Sequence, residues 1–405
     1  MPASADWRSA GWTKAFAVAL VLLVGALAVR HSLGMALATK RPELALQLDR
    51  ENATVLAQAA LTLVQGEANV QGEATPQRRK ALDLARAALA RDAGNVNALA
   101  AFGLASDKPK QVAAVFTAAD RLSRRNLIVQ VWMIENAVAK GDVSGALRQY
   151  DIALRTSRAA PSMLFPVLVD ATSNDQLLPA IAKTLAQRPL WGGLYLQQLA
   201  QSGKDLHRIA LLFAMLKQQG VATGAAADTA LYTRLLGAQL FDDAWKVYAS
   251  DHRGAQHAAV RGDTFGEDPV VKTPYDWQLS DNEFVTARIE QTTSAKGELI
   301  FTTAAGEGGD VARQTLSLTP GTYTLQAEVG AIEAADAQPA YLRVVCLPSG
   351  TELARKPLLL QGTNGVSFSV SAECPAQTLS IVAPPASGLG TVNGTIRSVR
   401  LARTG

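Results

Sequence analysis

The sequence predicts a membrane-attached chain that is helical first and strand-rich after: a transmembrane helix, an α-solenoid of helix hairpins, then a C-terminal antiparallel β-sandwich. Three observations lead there. An uncharged apolar run stands near the start, a long alanine- and leucine-rich region carries a helical period, and after Phe284 short alternating runs separated by turn residues take over. The expected boundaries are 1–14 for a cytoplasmic tail, 15–38 for the membrane segment, 39–250 for the helical repeats, 251–273 for a linker and 274–405 for the sandwich.

Ala15 to Val29 is uncharged and lies between Lys14 and Arg30. As a helix it covers about 22 Å at ~1.5 Å per residue, short of the ~30 Å hydrocarbon layer. Snorkelling of Lys14 and Arg30, with Trp7 and Trp12 at the interface, makes up the difference. The run also suits the core of a secretory signal, and Ala26-Leu27-Ala28 and Ala36-Leu37-Ala38 both offer the small residues of a cleavage site. A cut after Ala28 leaves Arg30 and His31 directly behind it, and a cut after Ala38 enters the first repeat helix, so an uncleaved anchor is preferred over a cleaved signal. Arg8 and Lys14 precede the run and Arg30, Lys40 and Arg41 follow it. That count does not favour an outside body, but long domains translocate largely regardless of nearby charge.

At 405 residues, 48% apolar and 18% charged, the chain has the composition of a globular protein with room for two or three domains. A net charge of +4 with no block of lysines or arginines gives no footprint for DNA or RNA, and no nucleic-acid partner is expected.

From Lys40 to about Ser250 helical periods alternate with short polar breaks. Arg41 to Asn52 aligns with Leu84 to Asn95; in each, an Asp (Asp49, Asp92) closes one helix and an Asn opens the next. Ala88, Ala119 and Ala153 fall 31 and 34 residues apart, near the period of helix-turn-helix repeats. In the unit from Trp132 to Arg155, Gly141, Ala146, Tyr150 and Ala153 resemble the second half of a tetratricopeptide repeat. A small residue at the helix crossing lets two helices approach, and the aromatic one turn later fills the next gap. Gly103, Phe116 and Ala119 give a second match, and Phe241 to Tyr248 a third. Pro161 to Gly220 reads as hairpins broken near Pro166, Pro179 and Pro189. The family's tryptophan and Leu-Gly pair are absent from most units, so the resemblance covers about half of the region. It implies an extended surface that binds a protein partner. Trp132, Trp191 and Trp245 are read as core.

Asp251 to Thr273 loses the period and collects glycine and proline. His252 and His257 lie in it without cysteine or acidic partners at ligand spacing, so no metal site is expected. Pro274 to Leu279 is a compact aromatic cluster, in which Trp277 packs the linker onto the sandwich or, in the minor reading, stacks on a ligand.

Beyond Phe284 nine short strands are expected, one of them over Lys356–Gln361. Thr319-Pro320-Gly321-Thr322 suits a tight turn and Asn364-Gly365 a hairpin. Tyr323, Leu325, Ala327 and Val329 share one face, with Thr324, Gln326 and Glu328 on the other, as in a half-buried antiparallel sheet. The only cysteines, Cys346 and Cys374, sit at strand ends or turns. Paired, they form a disulfide and require an oxidising compartment; unpaired, they are two small buried hydrophobes. The layout from Leu318 to Tyr323, followed by alternating strands, resembles the jelly-roll sandwiches of carbohydrate-binding modules. That resemblance implies exposed aromatic platforms: Tyr341 and Arg343 alternate against Leu342, Val344 and Cys346 and are candidate ligand contacts, with Trp277 a third.

No nucleophile elbow, phosphate loop, dinucleotide fingerprint or metalloprotease pair occurs, so an enzyme is not expected, nor a cofactor. The expected protein is a scaffold of the bacterial inner membrane with most of its chain in the periplasm. Its helices hold a protein partner and its sandwich touches glycan or a second protein, in envelope or exopolysaccharide assembly. The alternative is a carbohydrate-binding protein whose helices are a spacer.

Overall fold

A computed structural model describes residues 7–66, 75–252, 254–266, 272–293, 296–334, 338–386 and 390–404, with the backbone alone for 7–14, 293 and 334. The side chains of Trp7, Trp12 and Lys14, placed by the sequence at the membrane interface, and of Arg8, counted among the flanking charges, lie outside that description, as does part of the expected linker. The chain divides into two compact units, 1–165 and 166–405. Among the described residues there are fourteen helices followed by ten strands.

The first helix, α1 (Trp7–Leu37), carries the apolar run further than the uncharged stretch alone: Ala15–Leu37 is 23 residues with mean hydropathy 2.0. Phe16, Val21 and Leu22 are about 70% exposed. Its last turns meet protein. Ala38 is buried, a Cβ on Gly34 would lie 3.0 Å from Asp49, and the Asp49 carboxylate accepts from His31 Nδ1 at 2.9 Å.

Seven short helices follow: α2 (Pro42–Leu48), α3 (Ala53–Gln65), α4 (Pro76–Arg91), α5 (Val96–Ala105), α6 (Pro109–Leu122), α7 (Leu127–Ala139) and α8 (Val143–Thr156). Their starts are written in the sequence. The side-chain oxygens of Asn52, Asn95, Asn126 and Asp142 accept from backbone N–H groups one turn on, and Pro42, Pro76 and Pro109 occupy first turns where no N–H is needed. The Asp-then-Asn pattern of the repeat is thus a stop and a start: Asp49 and Asp92 follow α2 and α4, and Asn52 and Asn95 cap α3 and α5. Consecutive helices pack through small residues; Ala60, Ala85, Ala100, Ala101, Phe116 and Ala119 share one core. Ala146, Tyr150 and Ala153 are buried. Gly141 has φ +70 with open space around it, so it serves the turn, not a helix crossing. The close approach falls at Gly103 instead, where a Cβ would stand 2.5 Å from the Phe116 ring. Trp132 is only half-buried and stacks on Phe116 at 4.5 Å.

Helix α9 (Ala160–Ala171) runs through Pro166 without breaking there. The proline costs one intrahelical hydrogen bond but leaves a helix whose other contacts hold. Next come α10 (Leu178–Ala186), α11 (Gly192–Ser202), α12 (Leu206–Gln218), α13 (Ala225–Gly237) and α14 (Phe241–Asp251). Pro179 begins α10 and Pro189 precedes α11, where they do punctuate the chain. Trp191 is buried; Trp245, on α14, is half-buried rather than core.

The strands are β1 (Gln278–Leu279), β2 (Val285–Thr293), β3 (Lys296–Thr303), β4 (Gly309–Leu316), β5 (Gly321–Ala334), β6 (Tyr341–Cys346), β7 (Glu352–Pro357), β8 (Gly362–Val370), β9 (Gln377–Ala383) and β10 (Val392–Arg403). They form two five-stranded antiparallel sheets, ordered β1-β4-β9-β6-β7 and β2-β3-β10-β5-β8. The inward residues of both make one core that includes Phe301, Tyr323, Leu325, Leu342, Val344 and Ile381. The Thr319-Pro320 corner carries the chain from β4 to β5, and Tyr323 Oη donates to Thr319 O at 2.7 Å across it.

The Asn364-Gly365 pair is not a hairpin turn. Both lie inside β8, with Asn364 paired to Ala327 and 2% exposed. The turn comes earlier, at Gly362 (φ +94), and Asn364 Oδ1 accepts from Leu359 N to hold it. For the same reason the expected strand over Lys356–Gln361 is displaced: β7 ends at Pro357, and Leu359 and Leu360 are exposed in the loop.

Candidate functional site

On β6 the alternation puts Leu342, Val344 and Cys346 in the core and Tyr341, Arg343 and Val345 on the outer face. Tyr341 is half-buried, and the Arg355 guanidinium from β7 lies over its ring, 4.5 Å from the centroid. Arg355 is held by Glu352 through hydrogen bonds of 2.9 and 3.0 Å; the same guanidinium keeps the Glu352 carboxyl below its usual range. Arg343 donates to Asp310 on β4 at 3.2 Å, while its Nε is buried with no acceptor. This surface therefore offers one aromatic ring, covered on one side by Arg355, and two guanidinium groups with carboxylate partners; Arg343 Nε lies buried beneath it without an acceptor.

Trp277 lies elsewhere. It is 4% exposed, its ring stands 5.6 Å from Phe265, and its Nε1 donates to Gly262 O at 3.2 Å. It pins residues 260–265 to the sandwich, where Val260 and Phe265 join the core, and shows no face to a ligand. Gly297 N donates to Thr264 O and Val399 N to Asp263 O, so these residues also bond to β3 and β10.

Cys346 and Cys374 form a disulfide, 28 residues apart in sequence and both buried. Gln377 Nε2 donates to Cys374 O at 2.6 Å, fixing the turn that enters β9.

A cavity of about 430 Å³ opens where α14, residues 254–266 and β4 meet. Trp245, Tyr248, His257 and Tyr275 line it. Tyr248 and Tyr275 are buried, their rings 4.8 Å apart, and Trp245 stands 5.3 Å from each. The exposed His257 imidazole lies 4.3 Å from Trp245, tilted by 35°, and its Nδ1 is 3.0 Å from Ser317 O. Arg261 donates to Asp276 at 2.9 Å. Burial first, and the nearby Asp242 carboxylate second, push the Tyr275 hydroxyl well above the ordinary phenol range; it is a donor, and it has no partner. The sequence reading assigned these rings separately to helix core, linker and domain edge. The signal that unites them is density: five aromatic residues and two histidines fall from Trp245 to Trp277.

No protein-family model matches the chain, and no curated protein sequence is similar to it. Among solved structures it is similar to a CBM4 carbohydrate-binding module at 15% identity, over 36% of this chain and 99% of that one, with a TM-score of 0.26. It is also similar to TmCBM61 in complex with β-1,4-galactotriose at 14% identity, over 37% and 100%, with a TM-score of 0.24. A third is the enzymatically active domain of bacteriophage CBA120 tailspike protein 4, at 14% identity and a TM-score of 0.22, over 32% of this chain and only 19% of that one.

Proposed function

We propose that the chain is a non-enzymatic scaffold of the bacterial envelope. Helix α1 anchors it in the inner membrane, the rest lies in the periplasm, the helix hairpins hold a protein partner and the sandwich touches glycan. Assembly or export of envelope polysaccharide is the setting this combination fits. The observation that carries the location is the Cys346–Cys374 bridge, since structural disulfides persist in oxidising compartments, on a chain whose α1 exposes the uncharged apolar run 15–29. The partner role is supported by a tetratricopeptide-like succession of short capped helices that leaves Leu122, Val138 and Met163 more than half exposed. The glycan role is supported by the jelly-roll-like outer face of β6, where the Tyr341 ring suits the C–H face of a sugar and Arg343 its hydroxyls.

Affinity electrophoresis of the full chain through gels containing neutral polysaccharides tests the glycan half. Retardation is expected for the native chain and its loss for Tyr341→Ala. Identical migration of both in every gel removes that half. A protein partner that co-purifies with Tyr341→Ala as with the native chain favours the scaffold over a carbohydrate-binding module with helices as spacer.

A further inference from the structure

We propose that β8 is a self-pairing edge: two copies of the chain join antiparallel along it and merge two of their five-stranded sheets into one. The surface is separate from the proposed glycan face, since β8 closes one sheet and β6 lies in the other.

Each sheet ends in two edge strands. An edge strand directs the N–H and C=O of every second residue away from its neighbour, a template for a further extended chain. Three of the four edges are blunted. β1 has only two residues. β7 carries Glu352, Arg355 and Lys356, slips register against β6 between Val344 and Val345, and ends on Pro357. β2 carries Arg288 and Glu290, with a register shift between Gln291 and Thr293. Residues 280–282 cover its first half: Ala287 N donates to Ser280 O at 2.8 Å and Asn282 N to Val285 O at 3.1 Å. Short length, charge, proline, bulges and covering segments are the devices that keep sheets from joining edge to edge.

β8 has none of them. Its nine residues hold no charge and no proline, and they pair with β5 from Gly321–Val370 to Val329–Gly362 without a shift. Among the described residues, none outside β5 bonds to the backbone of residues 363–370. The outer edge is a row of donors and acceptors at strand spacing, and an extended chain satisfies it.

The strand is its own complement. Full overlap of two antiparallel copies centres a two-fold axis on Val366, with Gly362 opposite Val370, Thr363 opposite Ser369, Asn364 opposite Phe368 and Gly365 opposite Ser367. Buried Asn364, Phe368 and Val370 then meet residues of the inner face, and exposed Thr363, Gly365, Ser367 and Ser369 meet residues of the wet face. Hydroxyls already pair on that wet face between β5 and β8, Thr324 with Ser367 at 3.0 Å and Thr322 with Ser369 at 3.5 Å. Thr363 and Ser369 of the two copies would meet in the same way. No like charges are opposed along the strand. Leu360 O accepts from Ile332 N at 2.8 Å, so the chain before Gly362 continues along β5. Leu359 and Leu360, 61% and 58% exposed, thus stand beside the Val370 end of the other copy and gain apolar cover there.

Sedimentation equilibrium of the full chain in density-matched detergent is expected to show a reversible dimer. Ser367 is exposed, and under the two-fold it lies diagonal to Ser367 of the other copy, at ~7–8 Å, a gap that long side chains span. Ser367→Lys and Ser367→Glu should each weaken the dimer roughly tenfold or more through like-charge repulsion, with the melting temperature of the dilute chain unchanged. Mixing the two variants in equal amounts should restore the dimer, because Lys then faces Glu. A chain that stays monomeric at every concentration reached overturns the proposal. A dimer indifferent to both variants also overturns it, since such a dimer lies on another surface. A different polypeptide that co-purifies in stoichiometric amount and is lost with Ser367→Lys would give the edge to a foreign strand, overturning self-pairing.

Discussion

Asp142 shows how much one side chain settles in a helix of fourteen residues. Its carboxylate accepts from Gly145 N at 2.8 Å and from the Ser144 hydroxyl at 2.9 Å, closing the first turn of α8. These bonds favour the charged form, so its pKa lies below the ordinary 3.8. A carboxyl whose folded pKa is depressed adds stability above its unfolded pKa, and that stability is lost as pH falls through the folded value. Asp142→Asn keeps an oxygen for the cap and removes the titration. The variant should match the native chain near neutrality and lose less helix stability between about pH 5 and pH 2, as followed by circular dichroism melts. Equal acid losses in the two chains would mean that the cap does not depend on charge. The sequence assigned caps to Asn52 and Asn95 but not to Asp142, although it too is a short polar residue standing directly before an apolar period. The half-burial of Trp132 and Trp245 was not legible. A tryptophan at helical spacing has the same signature whether its far side meets another helix or opens on a cavity, and only the neighbours, Phe116 for one and His257 for the other, decide which.

Elements were legible wherever local chemistry and tertiary context agreed. Alternation along β5 and β6 gave their inner and outer faces, and the Asn caps gave the starts of α3 and α5. Where context overrode local preference the reading slipped. Asn364-Gly365 has the dihedral freedom for a type I′ turn, but pairing with β5 and the bond to Leu359 N draw it into β8. Pro166 has the chemistry of a break, yet α9 continues through it. The aromatic cavity was illegible for a different reason: its parts come from a helix, a loop and a strand up to about seventy residues apart, and no spacing rule spans that distance. The disulfide is the element-scale staple. It joins the end of β6 to the turn before β9, closing 28 residues, for which the chain-entropy model gives about 3–4 kcal/mol. Changing both Cys346 and Cys374 to serine should lower the unfolding free energy of the sandwich by about that amount, measured by urea denaturation. Reductant should have the same effect on the native chain and none on the variant. A variant as stable as the native chain would show the bridge to be dispensable.

At the scale of the molecule the decisive quantity is the side of the membrane on which the sulfurs lie. The charges around α1 argue weakly against an outside body, with Arg30, Lys40 and Arg41 following the apolar run. Two physical facts weigh the other way. Long domains cross largely regardless of nearby positive charge, and a bridge between Cys346 and Cys374 is not maintained against a reducing cytosol. The packing of α1 bears on whether it is retained. His31 meets Asp49, and Gly34 lies close against it, so a cut after Ala38 would strip the first helix hairpin of part of its contacts, whereas a cut after Ala28 would spare them. Under the proposed anchoring, retention of α1 would place Ala15–Val29 in the apolar layer, with the packed part of the chain beginning near His31. Maleimide added to intact cells, to cells with a permeabilised outer membrane, and to both with reductant separates the arrangements. The expected outcome is no labelling in any sample without reductant. Labelling should appear once a membrane-impermeant reductant reaches the periplasm, on a species whose mass still includes α1. Labelling only after the inner membrane is breached would place the sandwich inside the cell, and the bridge and the anchor would then need separate explanations.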